Sequence, residues 1–203
     1  MEAIETFKVD DKTVEIHVDE DPSNPRDNDN CDLFIMFHKR YNLGDEHDYK
    51  FVDYDGWDEM EAQIIKDHNP VVIKSVYLMD HSGISISTSD FGDRWDSGMI
   101  GFALISRKSA LKEMNAKRVT KKIKEWAKKC LDSSIKTYDE YLKGEVYGYV
   151  IKDEEGNDLE SCWGFFGLDY VKEQATELAK GIIVPPKPEV KDPNQLELAL
   201  NIA

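Results

Sequence analysis

The sequence predicts an α+β fold, a mainly antiparallel sheet with about three packed helices in one globular body over 1–181, followed by a flexible, proline-rich tail over 182–203. Three observations carry this expectation. Several short runs alternate apolar with polar residues between turn formers, the pattern of half-buried strands. Longer stretches repeat apolar residues at helical spacing. Four of the seven prolines crowd between 185 and 193, where a helix cannot continue and extended backbone is favoured.

Residues 4–9 and 13–18 alternate around Asp10 and Asp11 and read as a β-hairpin. The run DEDPSNPRDNDN (19–30) is turn formers and charges, a long acidic loop before a buried strand, CDLFIMF (31–37). A second loop follows over 41–56. Residues 57–68 place Trp57, Met60, Ile64 and Ile65 on one helical face, and Asn69 with Pro70 ends that helix. Three β-rich runs, 71–79, 84–88 and 99–106, are separated by Gly and Asp turns and form the expected centre of the sheet. Residues 109–131 read as one basic amphipathic helix, with a shorter helical turn over 136–142. The runs 145–151 and 159–166 flank EEGND as a second hairpin, and 169–180 closes the body as a helix.

With 203 residues, 40% hydrophobic and 33% charged, the chain suits one domain with a packed core. Cys31, Cys130 and Cys162 are odd in number and widely spaced, which predicts reduced thiols rather than a disulfide framework or a zinc knuckle. The first ten residues show neither a basic leader nor an apolar run, and no stretch approaches the roughly 20 apolar residues of a membrane span. A cytoplasmic protein without membrane partners is expected.

The formal net charge of −15 is uneven. Residues 1–70 hold 20 acids and 7 bases, whereas 106–140 hold 5 acids and 11 bases. The overall field repels phosphates, so direct nucleic-acid binding is disfavoured and a protein partner is expected. The basic helix is expected to complement the chain's own acidic loops.

Asp80, His81 and Ser82, with Asp96 beyond them, bring together the residue types of a nucleophile and its base. In an extended segment His81 and Ser82 point to opposite faces, and no nucleophile-elbow pattern is present, so a turn network is the simpler reading. The five histidines lack the spacing that metal ligation leaves, and the acidic run from Asp27 to Asp32 lacks the glycine and glutamate of a calcium loop, so no metal or other cofactor is expected. Tyr147, Tyr149, Trp163, Phe165 and Phe166 alternate with glycines, either as a stacking platform or as tight core packing.

The segments DHSGISIST (80–88), WDSGMIGF (95–102), TYDEYLKGEVYGYV (137–150) and SCWGFFG (161–167), with PSNPRDNDN and FHKRYNLGD, resemble a family of small uncharacterised proteins encoded by bacteriophages and mobile elements. The likeness covers about residues 13–168 and implies a context, a bacterial host cell, rather than a mechanism. Separately, Gln195, Leu196, Leu198 and Leu200 are similar to the hexapeptide by which bacterial proteins dock on the DNA polymerase sliding clamp. Leucines seated in apolar clefts and a hydrogen-bonding Gln explain how such a peptide works. The leading expectation is therefore an acidic binding protein that engages a host DNA-transaction or defence protein, such as a nuclease or immune effector, as inhibitor, adaptor or DNA mimic. The alternative is a metal- or nucleotide-dependent hydrolase centred on residues 80–83 and Asp96.

Overall fold

The computed structural model describes residues 2–183. Among these, two four-stranded antiparallel sheets and four α-helices give the expected α+β fold, with two sheets in place of one. The four residues of the clamp-like peptide, Gln195, Leu196, Leu198 and Leu200, lie outside the described residues.

Both ends of the described chain build the first sheet, in the order β1-β2-β7-β8. Its strands are β1 (Glu5–Val9), β2 (Lys12–Val18), β7 (Val146–Lys152) and β8 (Asp158–Phe166). Asp10 makes the first hairpin turn with a φ of 55°, a left-handed conformation that short polar side chains tolerate. Because β2 pairs with β7, Val14 faces Ile151 and Ile16 faces Tyr149, which puts alternate apolar residues on one side. Helix α4 (Leu168–Gly181) covers that side with Val171, Ala175 and Ala179.

The middle of the chain builds the second sheet, in the order β3-β6-β4-β5, from β3 (Leu33–Met36), β4 (Pro70–Asp80), β5 (Ile84–Ser87) and β6 (Ser97–Ser106). Helix α1 (Trp57–His68) covers one face, packing Met60 and Ile64 on Ile35, Phe102 and Leu104. The long helix α3 (Lys121–Leu142) covers the other, with Ile123, Ala127, Leu131, Ile135 and Tyr138 set against Phe34, Val76, Leu78 and Ile105. Each large apolar side chain buried this way contributes about 1.5–3 kcal/mol.

The basic stretch departs from expectation. Instead of one helix over 109–131 there are two, α2 (Arg107–Glu113) and α3, and α3 runs unbroken through the turn expected at 136–142. The break falls where Asn115 turns left-handed, with a φ of 44°, and Thr120 restarts the helix by accepting a hydrogen bond from the Ile123 amide at 3.4 Å. Downstream, the apolar stripe stays in register across the sheet, so nothing interrupts the helix before Leu142.

The acidic loop before β3 is more than a solvated run. Its Arg26 is buried, donating to Asp45 from Nε at 2.9 Å and Nη2 at 2.6 Å, and to Asp32 from Nη1 at 2.8 Å. Burial works against the charge, but Asp45 and Asp32 more than offset it and hold the guanidinium pKa above its ordinary value. The cation also sits over the Phe34 ring, 3.9 Å from its centroid. Next to Asp45, Gly44 donates to the Tyr138 hydroxyl at 3.0 Å, and a Cβ there would meet the Phe34 carbonyl oxygen at 2.5 Å. Two loops and α3 are thereby locked together around one guanidinium.

Candidate functional site

A groove of about 1030 Å³ opens at one end of the second sheet. Its floor is apolar, from Met36, Leu78, Met99 and Ile100, and its walls are aromatic, from Phe37, Tyr41, Phe51 and Trp57. Polar groups at its rim include His38, Arg40, Asp80 and Asp96. An apolar trough with a few convergent polar groups is the usual form of a binding site.

Irregularities in the sheet aim these residues. The β4–β6 ladder shifts register between Val76 and Tyr77, a bulge just before the strand ends that line the groove. Gly101 permits the close approach of β3 there, since a Cβ would lie 2.0 Å from the Ile35 carbonyl oxygen. Beyond the bulge, the Asp80 amide donates to the Asp96 carbonyl at 2.7 Å and ties the strand ends together.

Across the groove, residues 38–41 brace themselves. His38 Nδ1 accepts from the amides of Arg40 and Tyr41, both at 3.3 Å, and its ring stacks on Tyr41 with centroids 4.8 Å apart. Arg40 forms an ion pair with Asp80, whose other carboxylate oxygen accepts from the Tyr41 hydroxyl at 3.5 Å.

Of the four residues of the hydrolase alternative, the structure brings two into contact. His81 Nδ1 lies 2.9 Å from Asp96 Oδ2, and both side chains are open to solvent, at 73% and 42% exposure. Asp80 is turned toward Arg40 and Tyr41 instead. Strand β4 ends at Asp80, so residues 81–83 form a tight turn rather than an extended segment; Ser82 adopts a left-handed φ of 58° and the His81 amide donates to the Gly83 carbonyl at 3.1 Å. Among the described residues no hydrogen bond joins the Ser82 hydroxyl to His81 or Asp96. No group of three or more His, Cys, Asp or Glu among the described residues is arranged to hold a metal ion.

The loop between β5 and β6 carries the feature the sequence analysis missed. Trp95 is 94% exposed at the groove's edge, and Phe91 of the same loop is exposed as well. Asp93 fixes the loop by accepting from the amides of Trp95 at 2.8 Å and Asp96 at 2.9 Å, and these bonds hold its carboxyl below the usual range. The indole is thus held out into solvent by an ordered turn. Asp93, two residues before Trp95, was the available signal, since an Asp in that position commonly closes such a turn.

The aromatic and glycine alternation in β7 and β8 divides: Tyr149 is buried in the core with Phe165 packed against it, whereas Trp163 is 38% exposed. Trp163 lies against Gly148, where a Cβ would come within 2.2 Å of its ring, and Tyr149 meets Phe165 with centroids 5.4 Å apart. All three cysteines are free. Cys31 and Cys130 face each other at 3.7 Å, and burial together with the neighbouring thiol pushes Cys31 up to about 12. No helix among the described residues is long and apolar enough to cross a membrane. Comparison with protein-family models, with curated proteins and with solved structures finds no match.

Proposed function

We propose that the chain is a phage-type acidic binding protein that engages a host DNA-transaction or defence protein as inhibitor or adaptor, receiving a segment of that partner in the groove beside Trp95. The observation that carries this reading is Trp95 itself. A tryptophan held almost fully in water by a braced turn, at the edge of an aromatic trough, contributes nothing to the core and has the form of an interface anchor. A concave, aromatic-walled groove supports an adaptor or inhibitor over a surface that imitates the phosphates of duplex DNA. In the same reading, Gln195, Leu196, Leu198 and Leu200 tether the protein to the sliding clamp.

The test is affinity capture from bacterial lysate with the full chain, the Trp95→Ala variant and a chain truncated after Gly181, followed by titration with each purified partner. Trp95→Ala should weaken the body's partner at least tenfold, the scale of an anchor worth about 2 kcal/mol, while the truncation removes only the clamp. Equal binding by the Trp95 variant overturns the groove reading. A peptide of residues 194–203 that gives no heat on titration into the clamp overturns the tether.

The hydrolase alternative, a metal- or nucleotide-dependent enzyme, is favoured by one observation, the 2.9 Å contact of His81 with Asp96. It weighs less, because Asp80 is engaged by Arg40 and the Ser82 hydroxyl is not aimed at that histidine. Turnover of a nucleotide or phosphodiester by the full chain that is lost in His81→Ala would reverse this ranking.

A further inference from the structure

The basic stretch does not do what its charge predicts. Between residues 106 and 130 there are ten basic side chains and two acidic ones, and all ten cations are exposed. Among the described residues only Lys121 has an ion-pair partner, and that is Glu125 of its own helix at 3.9 Å. Lys112, Lys117, Arg118, Lys122, Lys124 and Lys128 have none, so the acidic loops of the body do not neutralise this face.

The placement also runs against helix stability. The first turn of α3 carries no acid, yet Lys121 and Lys122 open the helix and Lys124 follows. Cations there oppose the positive end of the helix dipole and the orphan amide groups. A local rule broken with no return to the fold is a mark of function. Meanwhile the opposite face of α3 is pinned to the second sheet by Ile123, Ala127, Leu131 and Ile135, so the charges sit on a rigid support.

From these observations we infer that the face formed by residues 107–129 docks on the phosphodiester backbone of a nucleic acid. Three features favour phosphates over an acidic protein. Eight of the ten cations are lysines, a residue depleted from the centres of protein interfaces and suited to contacts with phosphates that ignore base sequence. No large hydrophobic side chain between 106 and 142 is exposed, so the face lacks the apolar centre that a protein interface requires. Lys121, Lys124 and Lys128 follow one another three and four residues apart along a single helical edge, a linear row rather than a cluster. The net charge of −15 repels phosphates elsewhere, but charges beyond about 8 Å are screened at physiological salt. Approach is thereby confined to this face. The inference stands apart from the groove and from the tail.

The test is fluorescence anisotropy of the full chain with labelled, mixed-sequence single-stranded and duplex oligonucleotides of about 20 nucleotides at about 50 mM salt. Binding in the micromolar range is expected, with an affinity that falls steeply as salt rises, by about 0.7 to 0.9 log units per log unit of salt for each phosphate contacted. The relative affinities of the two oligonucleotides identify the preferred form. Lys121→Glu, Lys124→Glu and Lys128→Glu together should weaken binding at least tenfold while the melting temperature is kept or raised. The corresponding triple Gln variant should show a smaller loss and serves as the control for charge reversal. Absence of binding at low salt, or equal binding by both triple variants and the parent chain, overturns the inference. Displacement of the oligonucleotide by polyglutamate at equal charge also overturns it and assigns the face to an acidic protein.

Discussion

Arg26 and His81 each meet carboxylates at hydrogen-bond distance, yet they belong to opposite regimes. The Arg26 side chain is 4% exposed and its partner Asp32 2%, whereas His81 is 73% exposed. In the buried cluster water is excluded, the bonds are charge-assisted, and the loss of one partner strands the others in a low-dielectric interior. At the rim, water competes for every bond and screens what remains. Similar chemistry therefore builds the fold in one place and leaves side chains available for a partner in the other. The motif segments contribute to both regimes: PSNPRDNDN and FHKRYNLGD supply Arg26, Gly44 and Asp45 to the interior, while HKRY, Asp80 and WDSG line the groove.

The largest expected effect follows from the buried side. Arg26→Ala removes the one cation among the described residues that pairs with Asp32 and Asp45 and should cost about 3–5 kcal/mol of unfolding free energy, measured by denaturant titration. A cost under about 1 kcal/mol would mean that water reaches the two carboxylates and that the two regions do not differ in kind.

Most elements of the fold were legible because periodicity is local. The hairpin over 4–18, the helix over 57–68, and the strands around 71–106 appear where alternation and helical spacing placed them. What was not legible depended on distance along the chain. Two sheets rather than one result from β2 pairing with β7, more than a hundred residues away, and no local pattern encodes that choice. The split of α2 from α3 falls in the connection 114–120, where Asn115 turns left-handed and Thr120 caps the next helix, inside an otherwise continuous apolar stripe. At the site, the residue types were legible and the geometry was not. His81 and Asp96 were paired correctly as a question, but Asp80 was claimed by Arg40, a loop residue 40 positions earlier. Asp93 signals the turn that carries Trp95, but not the exposure of the indole, because hydrophobicity in a sequence argues for burial and only the fold shows the exception.

An intermediate case lies on the first sheet. Lys152 Nζ meets both carboxylate oxygens of Glu15, at 2.9 and 2.8 Å, with both side chains about a quarter exposed. The hydrogen bond from Lys152 lowers the Glu15 pKa, so this contribution is present above the carboxylate's unfolded value and is lost as pH falls through the depressed folded value. Lys152→Met should therefore lower the melting temperature at about pH 7, and the loss should shrink as the pH falls below the unfolded carboxylate value and vanish once Glu15 is protonated in both states. A loss that persists in acid would place the contribution in packing of the lysine stem rather than in its charge.

The smallest effect belongs to the rim. His81→Ala deletes an exposed contact, and the backbone bond from the Asp80 amide to the Asp96 carbonyl still ties the strand ends. Stability should change by no more than about 0.5 kcal/mol in the same denaturant titration. That small number is informative, because it frees the variant from the usual ambiguity of a misfolded control. With the fold intact, a changed partner affinity in His81→Ala reports on the groove through Asp96, the lining residue it contacts, and an unchanged one limits the docking surface to Trp95 and the aromatic walls. A cost above about 1 kcal/mol would instead mean that His81 and Asp96 hold the 81–83 turn in place, which would move the pair from the exposed regime into the structural one alongside Arg26.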